Sequence, residues 1–243
     1  MSADCFGLEV SDDEVRRWNT LAASGEPNFV TPWNRDHLRP IAGNALPAIQ
    51  KAFLLAPLSE EDLSVPLLME FGCGVGFHAP MALSQASAYV GIDISSLAVA
   101  MARYHFGNVE QARFLHSVFD RDGILDLRGT VGGIYGINFF YHQPADRLRA
   151  MIATAGELLG ECGWLLLDLL PEYEDIERSM DAPEGWQGGA GWTGFCVPYE
   201  QIAEAIAGAG FSDATCNEHF FADLAWEPRR RHYVLCRKPP AGR

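Results

Sequence analysis

Two carboxylates and three glycines carry the first chemical signal in this chain. Glu70 stands just ahead of Gly72-Cys73-Gly74-Val75-Gly76, and Asp93 closes the run Tyr89-Val90-Gly91-Ile92-Asp93. The apolar residues from Leu67 into Glu70, the glycine loop, a helix-like stretch and the run ending in Asp93 read as strand, tight turn, helix, strand. Glycine suits such a turn because it accepts positive φ and lets a ligand approach the backbone closely. With an acid at the end of the second strand, the natural occupant is an adenosine-containing cofactor.

The spacing narrows that cofactor. Dinucleotide folds show G-x-G-x-x-G, whose backbone and helix N-terminus receive a pyrophosphate. Here the order is G-x-G-x-G, and Glu70 would repel a pyrophosphate while attracting the ammonium of an amino-acid moiety. Glu70-Phe71-Gly72-Cys73-Gly74-Val75-Gly76 resembles motif I of the class I S-adenosylmethionine-dependent methyltransferases, and Asp93 matches the acid that binds both ribose hydroxyls in that family. The resemblance implies S-adenosyl-L-methionine as cofactor and S-adenosyl-L-homocysteine as product. It puts Glu70 near the amino-acid end, Gly72, Cys73 and Gly74 along the cofactor as close-approach backbone, and Asp93 on the ribose. Ile94 would lie along the adenine and Val118 on its other side. In the family, residues after the third strand often meet the adenine through an Asp. Here they are Ser117, Val118 and Phe119 with Asp120 displaced, so backbone groups are expected to read the adenine edge.

The elements that must position these residues follow in order. Ser11-Asp12-Asp13-Glu14 has capping-box form, and Val15, Trp18, Leu21 and Ala22 fall at helical spacing, predicting a helix over 12–23. An irregular stretch with Phe29 and Trp33 follows. Its Pro32-Trp33-Asn34 resembles the Pro-Trp-Asp ahead of motif I in thiopurine and thiol methyltransferases, which makes Trp33 a candidate lid. A helix interrupted by Pro40 and Pro47 is expected over 36–56, then a polar linker over 59–64. Beyond Asp93 the pattern gives a helix over 97–106, a strand at 113–115, a strand over 132–138, a helix over 147–159 and a continuous apolar strand over 163–170. An insert over about 171–198, rich in acids, glycines and aromatics, is expected to form part of a substrate wall. A helix over 199–209 and a closing antiparallel pair near 214–221 and 232–237 end the chain.

The expected fold class is therefore α/β. By resemblance it is a Rossmann-like class I methyltransferase fold, a seven-stranded sheet of order 3-2-1-4-5-7-6 with helices on both faces. Residues 1–64 would form an N-terminal helical cover or lid, and residues 65–243 the S-adenosylmethionine-binding domain.

The strand ending at Asn138 leads into Phe139-Phe140-Tyr141-His142-Gln143-Pro144, similar to the family's motif IV, where the strand end faces the transferred methyl group. Asn138 is placed against the methionine portion. His142 is the candidate catalytic base, because an imidazole takes a proton near neutral pH. A helix-capping or core role explains it as well. His37 and Asp168 are further candidates, and His78, directly after the loop, either touches the cofactor or simply opens the first helix.

Composition restricts partners. A formal net charge of -14 over 243 residues argues against nucleic acid, since phosphate binding needs a basic surface, and favours a neutral or cationic small-molecule substrate. Six cysteines without a C-x-x-C pair and seven histidines without ligand spacing give no metal site. An acidic start and the absence of a run of roughly 20 apolar residues lead to the expectation of a cytoplasmic protein with no membrane partner. Nothing in the sequence sets the oligomeric state. Two other readings remain at this point: a nicotinamide-dependent oxidoreductase on a Rossmann sheet, and an S-adenosylmethionine-binding protein without transferase activity.

Overall fold

The computed structural model describes residues 2–24, 33–34, 39–40, 58–137, 139–169, 197–220 and 230–240. Its centre is a seven-stranded sheet of β1 (Leu67–Phe71), β2 (Ala88–Asp93), β3 (Ala112–His116), β4 (Val131–Tyr135), β5 (Leu159–Leu169), β6 (Asp213–Phe220) and β7 (Arg230–Arg237). The order is 3-2-1-4-5-7-6, with β1 to β5 parallel and β7 antiparallel to both β5 and β6. The expected order is thus the observed one. The chain reverses direction across the sheet between β1 and β4, where open α/β sheets bind ligands at their carboxyl ends.

Seven helices accompany the strands among the described residues: α1 (Asp12–Ser24), α2 (Glu60–Leu63), α3 (Ala79–Leu83), α4 (Ser96–His105), α5 (Arg121–Leu125), α6 (Ala145–Leu158) and α7 (Tyr199–Gly208). Strand alternation sorts the core into two layers. Met69, Val90, Ile134, Leu165 and Leu167 pack with Ile152 and Ala155 of α6 and with Ile202 and Ile206 of α7. On the other face Leu68, Tyr89, Tyr135 and Leu166 pack with Ala79 and Ala82 of α3 and with Ala98, Val99 and Ala102 of α4. Burial on both faces is why these strands read as unbroken apolar runs. Among the described residues no helix is long and apolar enough to cross a membrane.

Four expectations are corrected. The linker over 59–64 contains α2, because Ser59 and Asp62 close a capping box. Arg39–Pro40 pairs antiparallel with Trp33–Asn34, so no helix runs through 39–40; the proline suits an edge ribbon better than a helix interior. β4 ends at Tyr135, three residues early, and β5 begins at Leu159 directly from the end of α6. A ribbon of Ser2–Ala3 with Glu9–Val10 precedes α1. Its turn is held by Asp4, whose Oδ1 accepts the Phe6 and Leu8 amides, a local bond that polarity alone does not reveal.

Asp62 also ties α2 to the last strand, since Arg237 donates to both of its oxygens at 2.5 and 3.0 Å. Replacing it by Ala removes the Asp62 half of the capping box, the bond from the Ser59 amide, and this pair together. Asp62→Ala is expected to lower the unfolding free energy by about 1–2 kcal/mol in urea titration, with an unchanged slope.

Candidate cofactor site

The turn leaving β1 is built by conformation first. Gly72 and Gly74 have φ of +71° and +52°, where a side chain is disfavoured. At Gly72 a Cβ would also lie 2.1 Å from the ring of Phe139, so the glycine makes room for the aromatic that follows β4. The Gly72 and Cys73 amides both donate to the Ile92 carbonyl, at 2.8 and 3.1 Å, which pulls the turn against the end of β2.

Asp93 meets the turn there. Its Oδ2 accepts the Gly74 amide at 2.8 Å and its Oδ1 accepts the Ser95 amide at 2.7 Å. A carboxylate offers about four acceptor positions, so capacity remains for two hydroxyls. Burial pushes its pKa up, and the backbone bonds from Ser95 and Gly74 work against that rise while the charge of Glu70 adds to it.

Glu70 lies beneath the turn and is fully buried. His78 Nδ1 is 2.5 Å from Oε1; the Tyr89 hydroxyl donates to Oε2 at 2.5 Å and the Tyr135 hydroxyl at 3.4 Å. Burial, and then the Glu70 charge, push both tyrosines well above their ordinary range, so they stay donors. The geometry therefore departs from the expected contact with a ligand's ammonium. The carboxylate is enclosed by the chain's own donors, in the layer shared with α3 and α4.

The adenine side also differs from expectation. Ile94 and Val118 are half-buried beside the exits of β2 and β3. The Val118 and Phe119 amides donate to His116 Nδ1 at 3.1 and 3.2 Å and are not free to read a base. His116 is buried, and that burial lowers its pKa, holding the ring neutral with Nδ1 as acceptor. Asp120 is likewise occupied, accepting from the His116 amide and from Arg103.

At the exit of β4, His142 ends a single 3-10 turn (Phe140–His142), with its ring edge-on to Trp18 at 5.7 Å. Asp168 is buried and accepts the Phe140 amide at 3.0 Å and the Phe139 amide at 3.4 Å. It shapes this loop, which fits a positioning role better than that of a base. Asn138, His37, the side chain of Trp33 and the insert over 171–196 lie outside the described residues.

Residues 2–24 reach four strand exits. Phe6 packs on Phe71 at the end of β1 at 5.1 Å, Asn19 accepts from the Ser95 hydroxyl after β2 at 2.8 Å, the Cys5 amide donates to Ser117 O after β3 at 2.8 Å, and Trp18 meets His142 after β4. Arg147 of α6 pairs with Glu14 and, at 3.7 Å, with Asp4.

The structure thus gathers Glu70, Gly72, Cys73, Gly74 and Asp93 at the ends of β1 and β2, with Ile94 and Val118 just beyond β2 and β3, while His142 lies against Trp18 and Tyr141 at the exit of β4. Sequence reasoning missed Tyr89, Tyr135, Asn19, His116 and Phe139. A signal existed for the tyrosines: Tyr135 pairs directly with Glu70 in register, and Tyr89 shares its face, so hydroxyls inside apolar strands mark a buried acceptor.

Residues 48–214 match a family model described as a methyltransferase domain. Among solved structures, magnesium protoporphyrin IX methyltransferase (ChlM) from Synechocystis PCC 6803 with bound SAH shows 18% identity over 93% of this chain and 95% of that one, with a TM-score of 0.58. A chain solved in complex with the Haloferax volcanii Trm112 methyltransferase activator shows 15% identity over 95% and 100%, with a TM-score of 0.63. A structure described as "Conversion of a Disulfide Bond into a Thioacetal Group during Echinomycin Biosynthesis" shows 16% identity over 92% and 94%, with a TM-score of 0.58. No curated protein sequence matches the chain. The chain belongs to the methyltransferase-domain family, and its fold and enzyme class are those of the class I S-adenosylmethionine-dependent methyltransferases.

Tyr89→Phe leaves Glu70 Oε2 with only the longer bond from Tyr135. An expected loss of about 1–3 kcal/mol of stability, read by chemical denaturation, follows from under-solvating a buried carboxylate.

Proposed function

We propose that this enzyme methylates a small organic molecule, a metabolite or natural-product intermediate that is neutral or cationic and carries some apolar surface. The observation that carries the cofactor end of this reading is Asp93, poised on the Gly74 amide with acceptor capacity to spare. A nicotinamide dinucleotide fits less well, since its pyrophosphate would sit at a turn flanked by two carboxylates. For the substrate, the net charge of -14 disfavours an anionic acceptor. Phe139 and His142 at the exit of β4, with Trp18 of α1 against His142, offer aromatic surface for burial and cation-π contact. ChlM and the echinomycin-pathway structure, both similar in fold, are described with small-molecule chemistry, which supports the same class.

S-adenosylmethionine supplies, when bound, an activated methyl group: the acceptor's lone pair forms the new bond to carbon as the carbon–sulfur pair returns to sulfur. The chain supplies alignment and desolvation. Asp93 takes the ribose hydroxyls, the turn from Gly72 to Gly74 gives close backbone approach along the cofactor, and Ile94 and Val118 line the adenine. Glu70 holds the turn in shape from below. Residues 2–24 close over the strand exits as the cover. His142 accepts a proton where the acceptor is a hydroxyl or ammonium, and Trp18 fixes its ring.

Isothermal titration with S-adenosylmethionine and with NADH tests the cofactor, and transfer of a radiolabelled methyl group to a metabolite panel tests the substrate class. Asp93→Ala is expected to weaken S-adenosylmethionine binding at least about tenfold, through loss of charge-assisted bonds to two hydroxyls. Unaltered affinity counts against the scheme. With a hydroxyl or ammonium acceptor, His142→Ala is expected to lower kcat by roughly 10²–10⁴ and to remove the acidic limb of the pH–rate profile. Normal turnover would end the base assignment.

A further inference from the structure

We propose that Asn19 of α1 is a positioning residue for the ribose carboxylate: through Ser95 it fixes Asp93, and so sets how tightly the cofactor's ribose hydroxyls are held. This rests on the cofactor reading above and adds a residue of the N-terminal cover that acts on the cofactor through Asp93.

A continuous run of hydrogen bonds leads from Asn19 to Asp93. Asn19 Oδ1 accepts the Ser95 hydroxyl at 2.8 Å and the Leu97 amide at 3.1 Å, and its Nδ2 donates to the Ser96 hydroxyl at 3.3 Å. The Leu97 amide can only donate, which fixes the end of the Asn19 side chain that faces it. Ser95 is buried; its hydroxyl also accepts the Ala98 amide at 3.1 Å, and its own amide donates to Asp93 Oδ1 at 2.7 Å. One serine thus holds Asp93 with its backbone and Asn19 with its side chain.

The consequence follows from where α4 begins. The first amides of a helix have no partner inside it. In α4 the N-cap Ser95 takes the Ala98 amide, and Asn19, 76 residues before that serine, takes the Leu97 amide. A residue of another helix therefore completes the cap and pins the start of α4 where the chain leaves β2. Asp93 is gripped from two sides, by the Gly74 amide on Oδ2 and by the Ser95 amide on Oδ1. The first belongs to the glycine turn, and the second moves with the cap. Without Asn19, Ser95 loses its tether to α1, and the orientation of Asp93 loosens with it. A carboxylate that must meet two hydroxyls is sensitive to such loosening, because charge-assisted bonds are short and directional. Asparagine is a poor residue for a helix interior, yet here both ends of its amide are spent on the head of α4. By linkage, ribose binding at Asp93 strengthens the seating of α1 to the same degree.

Titration calorimetry of the full chain with S-adenosylhomocysteine, and with an analogue of it lacking both ribose hydroxyls, tests this. Asn19→Ala is expected to weaken the first about fivefold, the weight of one net hydrogen bond, and the second less than about twofold. Asn19→Asp keeps the acceptor toward Ser95 and Leu97 and is expected to stay within about twofold of wild type for S-adenosylhomocysteine. A general loosening of the cover would weaken both ligands alike. That result, an unchanged affinity for S-adenosylhomocysteine in Asn19→Ala, or failure of Asn19→Asp to restore it overturns the inference and leaves the cofactor reading intact. Where the analogue binds too weakly to titrate, the loss in Asn19→Ala and its rescue in Asn19→Asp decide. Should Asn19→Ala fail to fold by circular dichroism, hydrogen exchange in the wild-type protein decides: slowed exchange of the Leu97 amide on adding S-adenosylhomocysteine supports the inference, and unaltered exchange overturns it. No binding of S-adenosylhomocysteine to wild type overturns the cofactor reading and this inference with it.

Discussion

A carboxylate sealed under a backbone turn is the constraint on which this site depends. Removing a carboxyl group from water is expensive, and Glu70 is tolerated because three elements each send it a partner: the turn through His78, β2 through the Tyr89 hydroxyl and β4 through the Tyr135 hydroxyl. Those bonds gather the central strand, both of its neighbours and the start of α3 at one point. The cofactor turn is therefore not a loose loop at the end of a strand. Its floor is part of the core.

From that floor the upper surface follows. The turn cannot spread, because the Gly72 and Cys73 amides are held by Ile92 and the ring of Phe139 lies where a side chain at position 72 would be. Gly74 consequently offers its amide to Asp93, which takes a second amide from Ser95. Burial raises the pKa of Asp93, and the backbone bonds from Ser95 and Gly74 oppose that rise. Residues 2–24 then bridge the exits of β1 to β4.

The cysteine within the turn illustrates how local identity and environment differ. Cys73 is buried, and burial with two nearby carboxylates pushes its thiol well above the ordinary range. It packs under Gly91, where a Cβ would come within 2.7 Å of its own. A cysteine in a glycine-rich turn invites a reactive reading, but here it serves as a small apolar wedge between β1 and β2.

Local pattern determined a good deal. The glycine spacing after Glu70, the acid closing β2, the apolar run of β5 and the capping box before α1 are signals complete within a few residues; each names its element, and the first two also name a class of ligand. The strand order came through resemblance and is the order observed. What local pattern could not decide was where each polar group spends its hydrogen bonds, because the partners lie far apart in sequence. Whether Glu70 faces a ligand or the core depends on Tyr89 and Tyr135, 19 and 65 residues away. The Val118 amide belongs to His116, not to a base, because the ring folds back from the end of β3. Asn19 reaches the head of α4 across 76 residues. Periodicity assigns faces, but only the packed chain settles which donors meet which acceptors.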